Sequence, residues 1–343
     1  MALLEVDNLR TCFQTRKGMA AAVDGVTFTL DAGKTLALVG ESGSGKSVSA
    51  MSILRLLDEN GWIESGEIRF DTGEGKVDLA KLPMEQMYGI RGNRISMIFQ
   101  EPMTALNPVF TIGKQLCEPF LIHRNMTKAQ AKENALSILK SVKISNAEWI
   151  MKEYPHRLSG GMRQRVMIAM ALACRPNILI ADEPTTALDV TIQAQILRLM
   201  KELQTEQKTA ILFITHDLGV VREVADEVAV MYCGQVVERV PAPILFKHFD
   251  HLHPYTEGLL ASAPSVKNVG KRLQSIPGQV PSPYALPKGC RFAPRCRYAT
   301  EKCCEEMPDL AEIVPNRYIR CFYPNEEERN GEKHQRLVVG NRS

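Results

Sequence analysis

One eight-residue segment carries the residue types that bind phosphate groups. Residues 40–47 read GESGSGKS and fit the phosphate-loop pattern G-x-x-x-x-G-K-[ST]. Glycines let backbone N–H groups wrap around phosphates, Lys46 would reach the β- and γ-phosphates, and the Ser47 hydroxyl would bind Mg²⁺. We therefore predict a nucleotide site formed by Gly40, Ser42, Gly43, Ser44, Gly45, Lys46 and Ser47.

Two adjacent acids form a second candidate. The segment ILIADEP, residues 178–184, is an apolar run that ends in Asp182 and Glu183. A carboxylate beside bound Mg²⁺ and phosphate can hold the metal, or it can orient and deprotonate the attacking water. We predict that Asp182 holds Mg²⁺ and that Glu183 is the catalytic base, at the sheet edge from which the phosphate loop also emerges.

A second helix start suits phosphate as well. In LSGGMRQR, residues 158–165, Ser159, Gly160 and Gly161 precede a helical stretch that runs to Cys174. Exposed backbone donors and the helix dipole both favour an anion there. Because a single nucleotide does not obviously need two such sites, this segment calls for a further explanation.

Strands and helices must position these segments. The alternation in the first thirty residues predicts an antiparallel strand pair with Asp24-Gly25 as its turn. A buried strand at 36–39 leads into the phosphate loop, and a helix is predicted over 47–57. The later apolar runs predict an α/β core with a mainly parallel sheet, from strands at 95–99, 178–181, 210–214 and 228–232. Between 105 and 174 we expect a helical insertion, with Thr127 as a helix cap.

The order of these motifs resembles the ATP-binding cassette ATPases. The phosphate loop, Gln100 in IFQEP, LSGG, ILIADEP, TALD at 186–189 and His216 in FITHD follow one another as in that family. The resemblance implies a RecA-like core with an antiparallel β subdomain and a helical subdomain. It also implies two cassettes packed head to tail, the LSGG segment of one closing over ATP held by the other.

The same resemblance implies individual roles. Gln100 would contact Mg²⁺ or the attacking water and sense the membrane partner, His216 would contact the γ-phosphate, and Asp189 would link the two cassettes. Phe13 would stack on adenine, which its distance from the phosphate loop favours over the alternative of a core residue in an early strand.

Further segments resemble the ATP-binding subunits of bacterial dipeptide and oligopeptide importers, of the D type. They are EPMTALNP at 101–108, EPTTALDVTIQAQIL from 183 and HPYTEGLL at 253–260. This likeness implies a peripheral subunit on the cytoplasmic face of the bacterial inner membrane. Its partners would be a second, different ATPase subunit, two permeases and an extracytoplasmic peptide-binding protein. The alternative is an ATP-binding cassette ATPase of DNA repair or translation.

Composition limits the possible classes of protein. The 343 residues predict roughly two domains at about 150 residues each. A net charge of +3 is far from the basic excess of nucleic-acid carriers, so no nucleic-acid partner is expected. The longest apolar run, 166–174, is too short to span a membrane, and the acidic N-terminus does not read as a secretory signal, which favours a cytosolic chain. We expect a nucleotide-binding domain over 1–262 and a Pro- and Cys-rich extension with a disordered tail over 263–343.

Five of the nine cysteines lie close together in that extension. Cys290, Cys296, Cys303 and Cys321 are separated by five, six and seventeen residues, and Cys304 is supernumerary. Four thiolates can hold zinc or an iron–sulfur cluster, and reduced structural thiols are a third possibility. The resemblance favours a [4Fe–4S] cluster. The arginines around the cysteines could offset thiolate charge or form a solvated face; they are Arg291, Arg295, Arg297 and Arg320.

Overall fold

The fold is that of an α/β protein. The computed structural model describes residues 2–101, 105–185, 190–247, 250–263 and 275–325. In chain order its first elements are β1 Ala2–Thr15, β2 Gly18–Asp31, β3 Thr35–Val39, α1 Lys46–Leu54, β4 Gly61–Asp71, β5 Lys76–Asp78, α2 Met84–Ile90, β6 Ile95–Ile98, α3 Ile112–His123, α4 Lys128–Ser141, α5 Ala147–Ile150 and α6 Gly160–Leu172. The later ones are β7 Ile178–Asp182, α7 Val190–Gln207, β8 Ala210–Thr215, α8 Leu218–Val224, β9 Glu227–Tyr232, β10 Gln235–Pro241, α9 Ala242–Leu245, α10 Pro254–Ser262, α11 Glu301–Glu305, β11 Ala311–Val314 and β12 Arg317–Ile319.

The chain divides into two compact units that do not follow its linear order. The first comprises Met1–Leu4, Thr29–Thr35 and Arg69–Ile214, and the second comprises Glu5–Phe28, Leu36–Ile68 and Thr215–Ser343. The second unit therefore combines the phosphate loop with the cysteine-rich extension.

Parallel strands form the sheet of the first unit. β7 lies between β6 and β8, and both pairs run parallel, with Ile178 opposite Ile95 and Ala210. All side chains of these strands up to Ile214 are buried, which explains their continuous apolar sequences. The predicted strands at 95–99, 178–181 and 210–214 are confirmed.

The segment between β6 and β7 is helical, as predicted. Thr127 caps α4 through a reciprocal pair: its hydroxyl accepts from the Gln130 N–H at 3.4 Å, and the Gln130 side chain accepts from the Thr127 N–H at 2.9 Å. Such a capping box satisfies two backbone donors that the first turn of a helix leaves open.

The second unit has parallel and antiparallel strand pairs. β3 runs parallel to β9, and β10 joins β9 and β12 in antiparallel pairs. An apolar cluster includes Val39 and Val230 from the sheet and the aromatic rings of Tyr232, Tyr255 and Phe292. The ring centroids of Tyr232 and Phe292 are 5.3 Å apart in an edge-on arrangement, so the extension contributes to this core.

Two local predictions are wrong. The turn between β1 and β2 lies at residues 16–17, whereas Asp24 and Gly25 lie inside β2. Gly25 has a left-handed backbone, φ 72°, within the strand, a conformation that glycine adopts without steric cost. Helix α1 ends at Leu54 instead of 57 because Arg55 adopts φ 52° and closes the last turn with its N–H on the Ser52 carbonyl.

Among the described residues, no helix combines the length and the apolar character needed to cross a bilayer. The expectation of a disordered tail falls largely on residues 326–343, which lie outside the described part of the chain.

Candidate nucleotide site and cysteine pocket

The phosphate loop of the second unit is shaped by close backbone contacts. A Cβ on Gly40 would lie 2.2 Å from the Met231 carbonyl oxygen, so no larger residue fits there without a backbone shift. Gly43, by contrast, has φ 76° and open space around it, so a ligand can approach its backbone. The loop therefore combines a tightly packed start with an accessible turn.

The Lys46 side chain contacts the phosphate loop itself. Its ammonium donates to the carbonyl oxygens of Gly40 at 2.8 Å and Glu41 at 2.9 Å, and to the Ser44 hydroxyl at 3.4 Å. Lys46 is also the first residue of α1, whose N-terminal N–H groups follow the loop directly. A cation and a helix N-terminus at the same loop make a site for an anion. Ser47, the predicted Mg²⁺ ligand, is half-buried in the first turn, and Ser42 is exposed.

The acid pair lies at the end of β7 in the first unit. Asp182 is the last residue of the strand and is buried. Glu183 adopts φ 45°, a region that L-residues rarely occupy, and its N–H donates to the Ile214 carbonyl at 2.9 Å. Such backbone strain is found preferentially at functional positions. Gln100 Nε2 donates to Glu183 Oε2 at 3.3 Å, so two of the predicted catalytic residues are in contact.

The helix start predicted at the LSGG segment is confirmed, since α6 begins at Gly160 and Ser159 is its N-cap. The Ser159 hydroxyl accepts from the Met162 N–H at 3.4 Å, and Gly160 is the first helical residue. Among the described residues, a Cβ on Gly160 would meet no atom within 4 Å, and one on Gly161 would contact Ile192 at an ordinary 3.7 Å. Packing against the described part of the chain therefore does not require glycine at position 160.

Three further residues predicted to belong to the nucleotide site differ in where they lie. His216 is exposed directly after β8, in the second unit. Phe13 is half-buried, and its ring packs on the Gly61 backbone, where a Cβ would come within 2.5 Å of it. Asp189 and the rest of TALD lie outside the described residues.

The four predicted cysteine ligands line one pocket. Cys290, Cys296, Cys303 and Cys321 all border it, together with aromatic residues that include Phe292 and Tyr323. Cys304 does not border the pocket and is exposed. Burial, opposed in part by the Tyr298 N–H and assisted by nearby Cys321 and Cys290, raises the pKa of the Cys296 thiol to about 12. Within the described ranges, no three His, Cys, Asp or Glu side chains are arranged as ligands of a metal ion.

The arginines around the cysteines are neither a common solvated face nor simple counterions of the thiols. Arg291 donates to the Asp24 carboxylate and Arg295 to that of Glu41, and both arginines are buried. Arg320 donates to backbone carbonyl oxygens of Val236 and Pro308, and burial lowers its pKa. Arg297 is exposed and pairs with Glu257.

Sequence reasoning also missed Tyr255. Its hydroxyl accepts a hydrogen bond at 2.8 Å from the Glu41 N–H, inside the phosphate loop. Tyr255 lies in HPYTEGLL, a segment singled out by resemblance alone, and no local pattern indicated a contact with a loop 214 residues earlier. Arg291 and Arg295 did carry a signal, since they stand beside Cys290 and Cys296 in GCRFAPRC.

A strand, a glycine-rich loop and a helix that begins at the loop lysine define a P-loop nucleotide-binding protein. Comparison with known proteins is more specific. Residues 23–186 match the family described as ABC transporter, and residues 237–303 match the oligopeptide/dipeptide transporter C-terminal region. The chain is 55% identical to the oligopeptide transport ATP-binding protein AppD of Bacillus subtilis, over 95% of this chain and 98% of AppD. It is 49% identical to OppD of Escherichia coli, the oligopeptide transport ATP-binding protein, over 95% of this chain and 94% of OppD.

Solved structures agree with this result. The ATP-binding cassette MJ0796, a dimer in a post-hydrolysis state bound to ADP and Pi, superposes with a TM-score of 0.63 at 27% identity. The match covers 70% of this chain and 98% of that one. The chain therefore belongs to the ATP-binding proteins of ABC transporters.

Proposed function

We propose that this chain is an ATPase subunit that powers the import of dipeptides or oligopeptides across the bacterial inner membrane through partner permeases. The observation that carries the proposal is the likeness to oligopeptide transport ATP-binding proteins over 95% of the chain, the cysteine-rich extension included. The chain would work from the cytoplasmic face as a peripheral subunit. It would pair with a second, different ATPase subunit, and an extracytoplasmic protein would deliver the peptide.

In this proposal the phosphate loop binds the phosphates of ATP. Lys46 exchanges its contacts with Gly40 and Glu41 for phosphate oxygens, so ATP meets a loop that is already shaped for it. The oxygen donors of Ser47, Gln100 and Asp182 suit Mg²⁺, which when bound offsets the negative charge of the phosphates.

Hydrolysis needs a base and a positioned water. Glu183 is the proposed base, and its contact with Gln100 gives the carboxylate a defined orientation. His216 would contact the γ-phosphate, and Phe13 would stack on adenine. The open Gly160 helix start and Asp189 would complete the site of the partner subunit when two cassettes close on each other.

A single substitution tests the catalytic assignment. Glu183→Gln in the assembled transporter is expected to lower ATP turnover at least about 100-fold, while nucleotide binding persists, because a general base contributes about 10² to 10⁴ in rate. The matched control is Glu202→Gln, which removes an exposed carboxylate paired with Arg198 on α7 and should leave turnover unchanged. Wild-type turnover by Glu183→Gln would remove Glu183 from the mechanism.

Copurification tests the cellular role. Tagged chain extracted from membranes of its native host is expected to carry two permeases and a second ATP-binding subunit, identified by mass spectrometry. Recovery with nucleic acid or ribosomes and without a permease would instead favour an ATPase of repair or translation.

We also propose that the four cysteines hold a [4Fe–4S] cluster. Four thiols on one pocket are a suitable donor set, and an iron–sulfur centre engages each thiolate at a separate iron.

The cysteine proposal is tested by metal content. Protein purified without oxygen is expected to contain iron and acid-labile sulfide, and Cys321→Ser should lose both. Cys304→Ser, which alters an exposed thiol away from the pocket, is the control and should retain both. Zinc in place of iron, or no metal at all, would refute the cluster.

A further inference from the structure

A buried arginine of the extension contacts the phosphate loop. Arg295 ends the short 3₁₀ turn Ala293–Arg295 and donates from both terminal nitrogens to the Glu41 carboxylate: Nη1 to Oε2 at 2.6 Å, and Nη2 to Oε1 at 3.1 Å. Its side chain is only 3% exposed. Because a two-point contact between guanidinium and carboxylate fixes the orientation of both groups, this pair constrains Glu41 as well as neutralising it.

The remaining contacts of Arg295 hold its planar guanidinium group, the fork of N–H donors, in place. Nε donates to the Pro277 carbonyl at 2.9 Å, and the guanidinium carbon lies 5.8 Å from the centre of the Tyr232 ring. Glu41 is held through its backbone too, since its N–H donates to Tyr255 Oη and its carbonyl accepts from Lys46 Nζ. The second residue of the loop is thus fixed at its side chain, its N–H and its carbonyl.

A second arginine supports the loop from another direction. Arg291 donates to the Cys233 carbonyl oxygen and to the Asp24 carboxylate. Cys233 and Gly234 connect β9 to β10, and the Gly234 N–H donates to the Ser44 carbonyl at 2.9 Å. The short segment between Cys290 and Cys296 therefore reaches the phosphate loop at Glu41 directly and at Ser44 through one turn.

The charge of Glu41 gives these contacts a consequence for binding. A carboxylate within a loop that receives a polyphosphate repels the ligand unless a cation compensates it. We propose that Arg295 is a positioning residue for ATP binding, which compensates Glu41 and fixes the phosphate loop in its receptive shape. The inference rests on the proposed ATP-binding role of this loop.

The test is ATP affinity and turnover in the full-length chain within its transporter. Arg295→Met is expected to raise the KM for ATP about tenfold while kcat stays within about twofold, because the lost contact serves ground state and transition state alike. Arg295→Lys keeps the charge without the fork and should fall between the two. Arg297→Met is the matched control: it removes an exposed arginine two residues further on, paired with Glu257, and should leave the KM unchanged.

Rescue separates positioning from a merely structural role. Adding Glu41→Gln to Arg295→Met removes the uncompensated carboxylate and should recover at least half of the lost affinity, measured calorimetrically with a non-hydrolysable ATP analogue and Mg²⁺. A wild-type KM in Arg295→Met, an equal effect of Arg297→Met, or a double variant no better than Arg295→Met would each overturn the proposal. If Arg295→Met does not fold, Arg295→Lys decides, because a wild-type KM in it contradicts the need for the fork. Wild-type chain that binds no ATP would refute the proposed function instead.

Discussion

Glu238 is the carboxylate for which burial has the clearest measurable effect on stability. It lies on β10 with no exposed surface. One oxygen accepts from the His253 N–H at 2.8 Å, and the other accepts at 3.2 Å from Arg317, whose side chain is 2% exposed. Burial raises the pKa of Glu238 to about 7, and these two partners only partly oppose it.

The magnitude follows from that pKa. A carboxyl whose pKa rises from 4.5 to about 7 on folding corresponds to about 3 kcal/mol, at about 1.4 kcal/mol for each pH unit. The folded chain holds the Glu238 proton more tightly than the unfolded chain. This group therefore lowers the free energy of unfolding as the pH rises from about 4.5 to about 7, and adds no slope outside that window.

Urea unfolding of wild type and Glu238→Gln, followed by circular dichroism between pH 4.5 and 8, measures the effect. Because glutamine does not titrate, the stability of the variant relative to wild type is expected to rise by about 3 kcal/mol from pH 4.5 to 7 and then level off. Glu227→Gln removes a half-buried carboxylate from the neighbouring strand and controls for the loss of one charge. A relative stability that is constant with pH would refute the reasoning. A fall would mean that Arg317 outweighs burial and keeps Glu238 ionised.

Three further predictions concern the space around two glycines and the exposure of two cysteines. Gly113→Ala places a Cβ 2.5 Å from the Met151 carbonyl oxygen. In urea titrations this variant should lower the free energy of unfolding by about 1–3 kcal/mol. A variant as stable as wild type would contradict the close packing at Gly113. The methyl group added by Gly160→Ala meets no atom of the residues that the structure describes, so the melting temperature should stay within a few degrees of wild type. ATP turnover of the assembled transporter should nevertheless fall, and unchanged turnover would remove Gly160 from the composite site. Under native conditions an alkylating reagent should modify exposed Cys304 well before Cys296, and mass spectrometry that finds the reverse order would contradict the pocket.

The strands and the motifs could be predicted from the sequence because each depends on residues that lie close together in the chain. Buried parallel strands appear as continuous apolar runs, and the loop between β3 and α1 is identified by glycine, lysine and serine at fixed spacing. The helix start at the LSGG segment was predictable for the same reason, and its cap is local as well, since Ser159 accepts from the N–H of Met162, three residues away.

The errors and omissions arise where partners are distant in the chain. Asp24-Gly25 has the composition of a turn, but it lies within β2, and Arg291 binds Asp24 from 267 residues further along. Arg295 and Glu41 are 254 residues apart, and neither residue type indicates the other. Local propensity cannot anticipate such contacts, because they form only when the extension packs on the sheet.

The aromatic cluster limits how the chain can be shortened or recombined. Phe292 is 3% exposed, with its ring centroid 5.3 Å from that of Tyr232 and 5.5 Å from that of Tyr255. A chain terminated at Ser262 would lose Phe292 from this cluster, and removal of that ring alone, as in Phe292→Ala, typically costs about 3–5 kcal/mol. The extension is thus not a detachable module, and chimeras between relatives would have to exchange Phe292 together with both tyrosines as one set.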